Sequence, residues 1–395
     1  MINENAKKYG SSGSAIRELF EFGKKRKAIV GEENVFDFSI GNPSVAAPKE
    51  FNDFIVKVLN EMEPTVLHGY TSAIGDENAR KAIANQLKEK YKAEVDPNLI
   101  YLVCGAAAGL TITLKALIAS PEDEVIVFAP FFPEYSVFIE NAGGKRVVAK
   151  TNDKMLIDLD ELDKVITPNT KAVIIDSPNN PTGVMYDENI IEGLAEYLNK
   201  KQQEYDHEIY LISDEPYREL VYSNKEYPFV TRFYENSIAV YSFSKSLSLP
   251  GERIGYILVN PKMKDSKDVY DAIKGAGRLM GFVCAPSLFQ FVLPYAVKYT
   301  SDLSIYAENR DILYKGLTDL GYEVIYPEGA FYMFVKALES DANEFSKKAM
   351  NHDLLLVPSD SFGITGYVRI AYCVSRNTII NSMPAFKALK EEYER

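Results

Sequence analysis

Short apolar runs rich in β-branched residues alternate with longer amphipathic stretches over much of the chain. The runs are Ile100–Cys104, Val125–Phe128, Ala172–Asp176, Ile209–Asp214, Ala239–Phe243 and Ile254–Val259. Their near-continuous apolar character predicts strands covered on both faces. Helical spacing fills several gaps, as in Leu110–Ala119 and Ile190–Lys200. Strands that alternate with helices predict an α/β unit built on a mainly parallel sheet.

Beyond Pro286 the pattern changes. A long helical stretch, Leu288–Leu320, leads to short runs at Tyr322–Tyr326 and Phe331–Val335. A further helical segment precedes the runs Leu354–Val357 and Tyr367–Cys373. This is an α+β pattern. The expected division is a large domain over residues 46–284 and a smaller one formed by 1–45 and 285–395. The N-terminal segment is too short to fold alone, and a chain of 395 residues suits two domains.

Composition narrows the function classes. Hydrophobic residues at 46% and charged residues at 25% support a sizeable core. A formal net charge of −12 opposes nucleic-acid binding, which needs a basic footprint. The one dense basic run, Lys24–Lys27, follows a helix-like stretch at Ile16, Leu19 and Phe20, and reads as a solvated helix end. Anionic substrates stay open, because a local site can be basic on an acidic protein. Cys104, Cys284 and Cys373 have neither zinc nor disulfide spacing, and buried free thiols are expected. No run approaches the ~18 apolar residues of a membrane helix. The start is polar, without a signal-peptide core. The expectations are no membrane partner, no metal, and a reducing, cytoplasmic compartment.

Polar chemistry gathers where the strands end, which is where open α/β sheets bind ligands. Lys245 follows the run Ala239–Phe243. Desolvation there lowers an amine's pKa and makes it a nucleophile. A surface lysine is the plain alternative, but Ser242, Ser244 and Arg253 stand close in sequence and together suit a phosphate. Asp214 ends another apolar run, a costly place for a carboxylate without a partner. It pairs with a protonated ring nitrogen or caps the following turn. The segment Gly105-Ala106-Ala107-Ala108-Gly109 ends a strand and opens a helix. Its small residues either admit an anion to the helix N-terminus or allow close helix–sheet packing. No Gly-x-Ser-x-Gly elbow occurs, and His68, His207 and His352 lack ligand spacing.

These residues carry a family resemblance. The ordered segments Ser177-Pro178-Asn179-Asn180-Pro181-Thr182-Gly183, Asp214-Glu215-Pro216-Tyr217, Ser242-Phe243-Ser244-Lys245 and Pro250-Gly251-Glu252-Arg253-Ile254-Gly255 resemble the class I/II pyridoxal-phosphate (PLP) aminotransferases. Gly41-Asn42-Pro43, Tyr70-Thr71, Pro130-Phe131-Phe132-Pro133, Gly329-Ala330-Phe331-Tyr332 and Tyr367-Val368-Arg369-Ile370 extend it over nearly the whole chain. The resemblance implies fold type I, the aspartate aminotransferase fold, with a mainly parallel seven-stranded sheet, and a homodimer with shared active sites. It implies an amino group moved from an L-amino acid to a 2-oxo acid. A carbon–sulfur β-lyase on the same scaffold is the alternative. A PLP-sensing regulator would need a DNA-binding domain, for which the stretch before Gly41 is too short.

The resemblance also implies roles. Lys245 carries the cofactor as a Schiff base, and Asp214 keeps its ring nitrogen protonated. Asn180 and Tyr217 hold the ring's phenolate oxygen, and Phe132 stacks on the ring. Ser242, Ser244, Arg253 and the N–H groups of Ala106 and Ala107 hold the phosphate, which Tyr70 of a neighbouring subunit also reaches. Arg369, helped by Asn180, grips the substrate α-carboxylate beneath the Gly41 loop. Ala107 stands where some aspartate-specific relatives use a lysine for the distal carboxylate. Arg278 is a candidate for that task, or else a surface or interface arginine.

Overall fold

The structure is a computed structural model that describes residues 2–11, 15–223 and 225–394. Its centre is a seven-stranded sheet: β1 (Ile100–Val103), β2 (Glu124–Ala129), β3 (Lys145–Lys150), β4 (Thr170–Asp176), β5 (Tyr210–Asp214), β6 (Ser237–Ser242) and β7 (Gly255–Val259). The spatial order is β1-β7-β6-β5-β4-β2-β3. All strands run parallel except β7, which opposes both neighbours. Successive residues of β4 serve opposite faces. Ala172 and Ile174 pack with the helix Ala106–Leu117, whereas Val173 and Ile175 pack with the helix Glu188–Tyr205. That double burial explains the unbroken apolar run. Full burial of each such side chain is worth about 1.5–3 kcal/mol.

The sequence pattern misses β3. Its first two residues are exposed charges and only Ala149 is buried, because it closes one edge of the sheet. Lysines there discourage pairing with other chains.

The C-terminal part forms a four-stranded antiparallel sheet of Val324–Ile325, Tyr332–Lys336, Tyr367–Ala371 and Val357–Pro358. Phe36–Asp37 pairs with Leu354–Leu355, and Phe38 enters the same core as Tyr332 and Ile370. The expected single helix over Leu288–Leu320 is two helices, Ser287–Ala296 and Ser304–Asp319. The break has a local cause: Asp302 Oδ1 accepts from the Ser304 N–H at 3.1 Å, offering the backbone a turn instead of a helix.

Two further expectations are corrected. Lys24–Lys27 lies inside the helix Ala15–Val30, with Lys27 in its last turn, and is not wholly solvated. Arg26 pairs with Asp353 at 2.6 Å and Lys27 with Asp37 at 3.2 Å, so the run fastens this helix to the strand pair below it. The three cysteines are free, but only Cys373 is buried; Cys104 and Cys284 are half-buried. Among the described residues, no helix is long and apolar enough to cross a membrane.

Candidate active site

The parallel strands end on one edge of the sheet. Because β7 runs the other way, its beginning lies on that edge too, and Arg253 just before it joins residues that follow the other strands. Every residue named above for the site, apart from Tyr70 and the candidate Arg278, lines one cavity of about 360 Å³ at this edge.

Lys245 stands on a single helical turn, Phe243–Ser246, rather than in a loop. Ser242 ends β6 and caps that turn, accepting from the Ser244 N–H at 3.2 Å. The amine donates to the Gly41 carbonyl at 2.9 Å. Burial pulls its pKa down to about 8; Cys373 opposes this, while the positive charges of Arg369 and Arg253 add to it.

Beside it is a cradle rich in donors. Gly105 caps the helix Ala106–Leu117 with φ of 85° and no side-chain cap. The first N–H groups of the helix therefore have no intrahelical partner. Arg253 donates to the Cys104 carbonyl at 3.0 Å, to the Pro250 carbonyl at 2.8 Å and to Ser244 Oγ at 3.5 Å. A Cβ at Gly105 would lie 2.4 Å from its Nη2, so the guanidinium reaches the helix end only over a glycine. Arg253 itself adopts φ of 52°, a strained conformation that costs on the order of 1–3 kcal/mol and is typical of functional sites. The Ser242 and Ser244 hydroxyls lie 2.6 Å apart. Gly109 has a different task. A Cβ there would meet Val240 Cγ1 at 2.6 Å, so it serves helix–sheet packing. The packing reading of this segment therefore holds for Gly109, while Gly105 leaves room for Arg253 at the helix end.

Asp214 forms the floor. It is 4% exposed, and its Oδ2 accepts from the Tyr135 hydroxyl at 2.7 Å. Its Oδ1 is buried without a partner. Burial pushes this carboxyl up, the Tyr135 hydrogen bond pulls it down, and Glu215 raises it again. Glu215, the next residue, turns away to pair with Arg218 at 2.7 Å. The capping alternative for Asp214 is not seen. An unpartnered, buried carboxylate oxygen suits a ring N–H⁺ at that point, and the cradle suits a phosphate. The residues present therefore fit PLP.

Arg369 lies opposite, 3% exposed, on the strand Tyr367–Ala371. It donates to Asn180 Oδ1 at 3.0 Å and to the Ser39 carbonyl at 2.7 Å, while its Nε has no partner. Its guanidinium covers the Tyr332 ring at 4.6 Å, and the Tyr332 hydroxyl meets that of Tyr217 at 3.0 Å. Gly41 passes so close to Tyr332 that a Cβ would overlap its hydroxyl. Phe132 lines the cavity edge-on to Tyr135.

Sequence reasoning missed Tyr135, Asp176, Ser39, Ile16 and the role of Tyr332. Asp176 and Ile16 line the cavity. Tyr135 left one signal, an aromatic in the turn after Phe132. Within one chain Tyr70 is apart from the site and 90% exposed. Arg278 lines a separate hollow with Ala73, Tyr101 and Phe282. No histidine lines the cavity, and no metal-binding cluster occurs among the described residues.

Tyr135→Phe tests the floor. Loss of the hydroxyl removes the interaction that lowers the Asp214 pKa. If ionised Asp214 is needed, the acid limb of the pH–rate profile moves to higher pH, and an unmoved limb contradicts its role.

Residues 33–383 match the family model described as aminotransferase class I and II. The chain belongs to this family. A crystal structure of an amino transferase from Eubacterium rectale aligns with this aminotransferase at a TM-score of 0.98 and 50% identity, covering 100% of both chains. The probable aspartate aminotransferase of Methanocaldococcus jannaschii is 31% identical over 96% of this chain and 97% of its own. The aspartate aminotransferase of Thermotoga maritima is 29% identical over 91% of this chain and 93% of its own. The seven-stranded sheet and its helices are those of the aspartate aminotransferase fold. Class I and II aminotransferases are PLP-dependent, and their substrates are small molecules.

Proposed function

We propose that this aminotransferase binds PLP on Lys245 and moves the amino group of an L-amino acid to a 2-oxo acid. The observation that carries the reading is one cavity holding both a lysine amine depressed to about 8 and an unpartnered carboxylate oxygen on Asp214. Ser242, Ser244, Arg253 and the Ala106 and Ala107 N–H groups hold the phosphate. Asp214 holds a proton on the ring nitrogen. Asn180 and Tyr217 hold the ring oxygen, and Phe132 covers a ring face. Arg369, with Asn180, binds the substrate α-carboxylate beneath Gly41. PLP, when bound, supplies an electron sink for the charge that develops at the substrate Cα. With the cofactor bound, Lys245 would carry the Cα proton, a service worth roughly 10²–10⁴-fold.

The division into a large body, 46–284, and a smaller one, 1–45 with 285–395, is part of this reading. The free cysteines support a cytoplasmic setting. A panel of L-amino acids with 2-oxoglutarate or pyruvate tests the function. Amino transfer that requires the 2-oxo acid is expected. Ammonia and pyruvate released from cystathionine without an acceptor would contradict it.

The active unit is a homodimer in which Tyr70 of a second copy completes the phosphate site. Its support is the exposure of Tyr70 at 90%, with Leu279 at 81% and Val283 at 61%. Light scattering should give the mass of two chains, and Tyr70→Phe should weaken PLP retention. A fully active monomer overturns this.

A further inference from the structure

The floor of the cavity holds a second carboxylate that the reaction above leaves unused. Asp176 ends β4 as Asp214 ends β5, and the two are register partners across the parallel ladder. Neighbouring strands lie about 4.8 Å apart and paired residues share a face, so the carboxyl groups stand side by side. Both are 4% exposed, and both line the cavity. Asp176 Oδ2 accepts from the Asn180 backbone N–H at 2.8 Å. Asp176 Oδ1 and Asp214 Oδ1 have no partner.

Two buried carboxylates at this spacing do not both ionise without a cation between them. Neither nearby cation bonds the pair: Arg369 donates to Asn180 and Ser39 and keeps an unpartnered Nε, and Lys245 donates to Gly41. A single proton makes one of the two oxygens a donor and the other its acceptor, and a carboxylate oxygen on Asp214 keeps a further lone pair for a ring N–H⁺. We propose that Asp176 is a positioning residue that stays neutral and donates from Oδ1 to Asp214 Oδ1, so that the pair shows one negative charge to the cofactor's ring nitrogen. The last clause rests on PLP binding; the shared proton does not.

The surroundings agree. Burial, then the charge of Asp214, push the Asp176 carboxyl well above the carboxylate range, and the Asn180 N–H opposes them. The other groups facing the pair are Tyr135, Tyr186, Tyr217 and Tyr332, each with its pKa raised by burial, together with Arg369, Lys245 and, on the Asp214 side, Glu215. The tyrosines keep their protons and add no charge. Two effects follow. A hydrogen bond donated to Asp214 stabilises its anion, which keeps this carboxylate ionised to lower pH. Asp176 also fixes Asn180, whose side chain accepts from Arg369, and so joins the ring end of the site to the carboxylate end.

Infrared spectroscopy of the full chain without cofactor, near pH 7, decides where the proton resides. A protonated-carboxyl band is expected that is lost in Asp176→Asn and kept in Asp214→Asn. No such band, or one kept in Asp176→Asn and lost in Asp214→Asn, overturns the proposal. The loaded enzyme gives the second readout, the pH at which the visible absorbance of bound cofactor changes. Asn imitates the neutral acid, so Asp176→Asn should titrate as the wild type does. A midpoint moved to lower pH means that a negative charge was removed, and the proposal fails. A chain that takes up no cofactor refutes the PLP reading while the infrared result still decides on the proton.

Discussion

Lys245→Ala loses transamination by more than about 10⁴-fold, the upper end for a positioned acid–base group, because the covalent anchor of the cofactor goes with it. Among the described residues, Lys245 is the one lysine lining the cavity, so no neighbour there can take over. Its amine is held at the Gly41 carbonyl and depressed to about 8, so a useful fraction is neutral at slightly alkaline pH. Lys245→Arg should not rescue, since a guanidinium does not deprotonate in this range. A coupled assay of the 2-oxo product, run with the visible spectrum of the protein, checks both losses. Retained turnover removes the central role given to this residue.

Arg369→Ala lowers kcat/KM by roughly 10²–10⁴-fold, mostly as a higher KM. The estimate takes two charge-assisted hydrogen bonds to the substrate carboxylate at about 1.5–3 kcal/mol each. The substitution also strips donors from Asn180 Oδ1 and the Ser39 carbonyl, so thermal unfolding must be measured beside the kinetics. Arg369→Lys recovers little, because a point charge does not match a carboxylate with two parallel bonds. An unchanged KM in a folded variant assigns the carboxylate to another group.

The sheet was legible where burial was symmetrical. The β4 run shows on its face that both sides of the strand are covered, and Asp214 stands out because an acid after such a run needs a partner. β3 was hidden by its place at the edge, where charges replace apolar residues. The reversed direction of β7 is not written in its residues, which read like those of a parallel strand. Its connection from Ser242 to Gly255 holds only one helical turn, Phe243–Ser246, in place of a crossover helix. In the site, Lys245 and Asp214 were legible because local sequence sets their exits from strands, and Arg253 because it stands just before one. Asp176 belonged to a recognised run, yet its tie to Asp214 depends on strand register. Tyr135 reaches the floor through a fold contact 79 residues distant in sequence. Neither Tyr70 nor Arg278 lines the cavity of its own chain, and local sequence does not show this.

The most direct measurement is borohydride reduction of the protein saturated with PLP, followed by proteolysis and peptide mapping. The account predicts one labelled peptide per chain, with the cofactor fixed to Lys245. Label on any other side chain, or none in saturated protein, contradicts it.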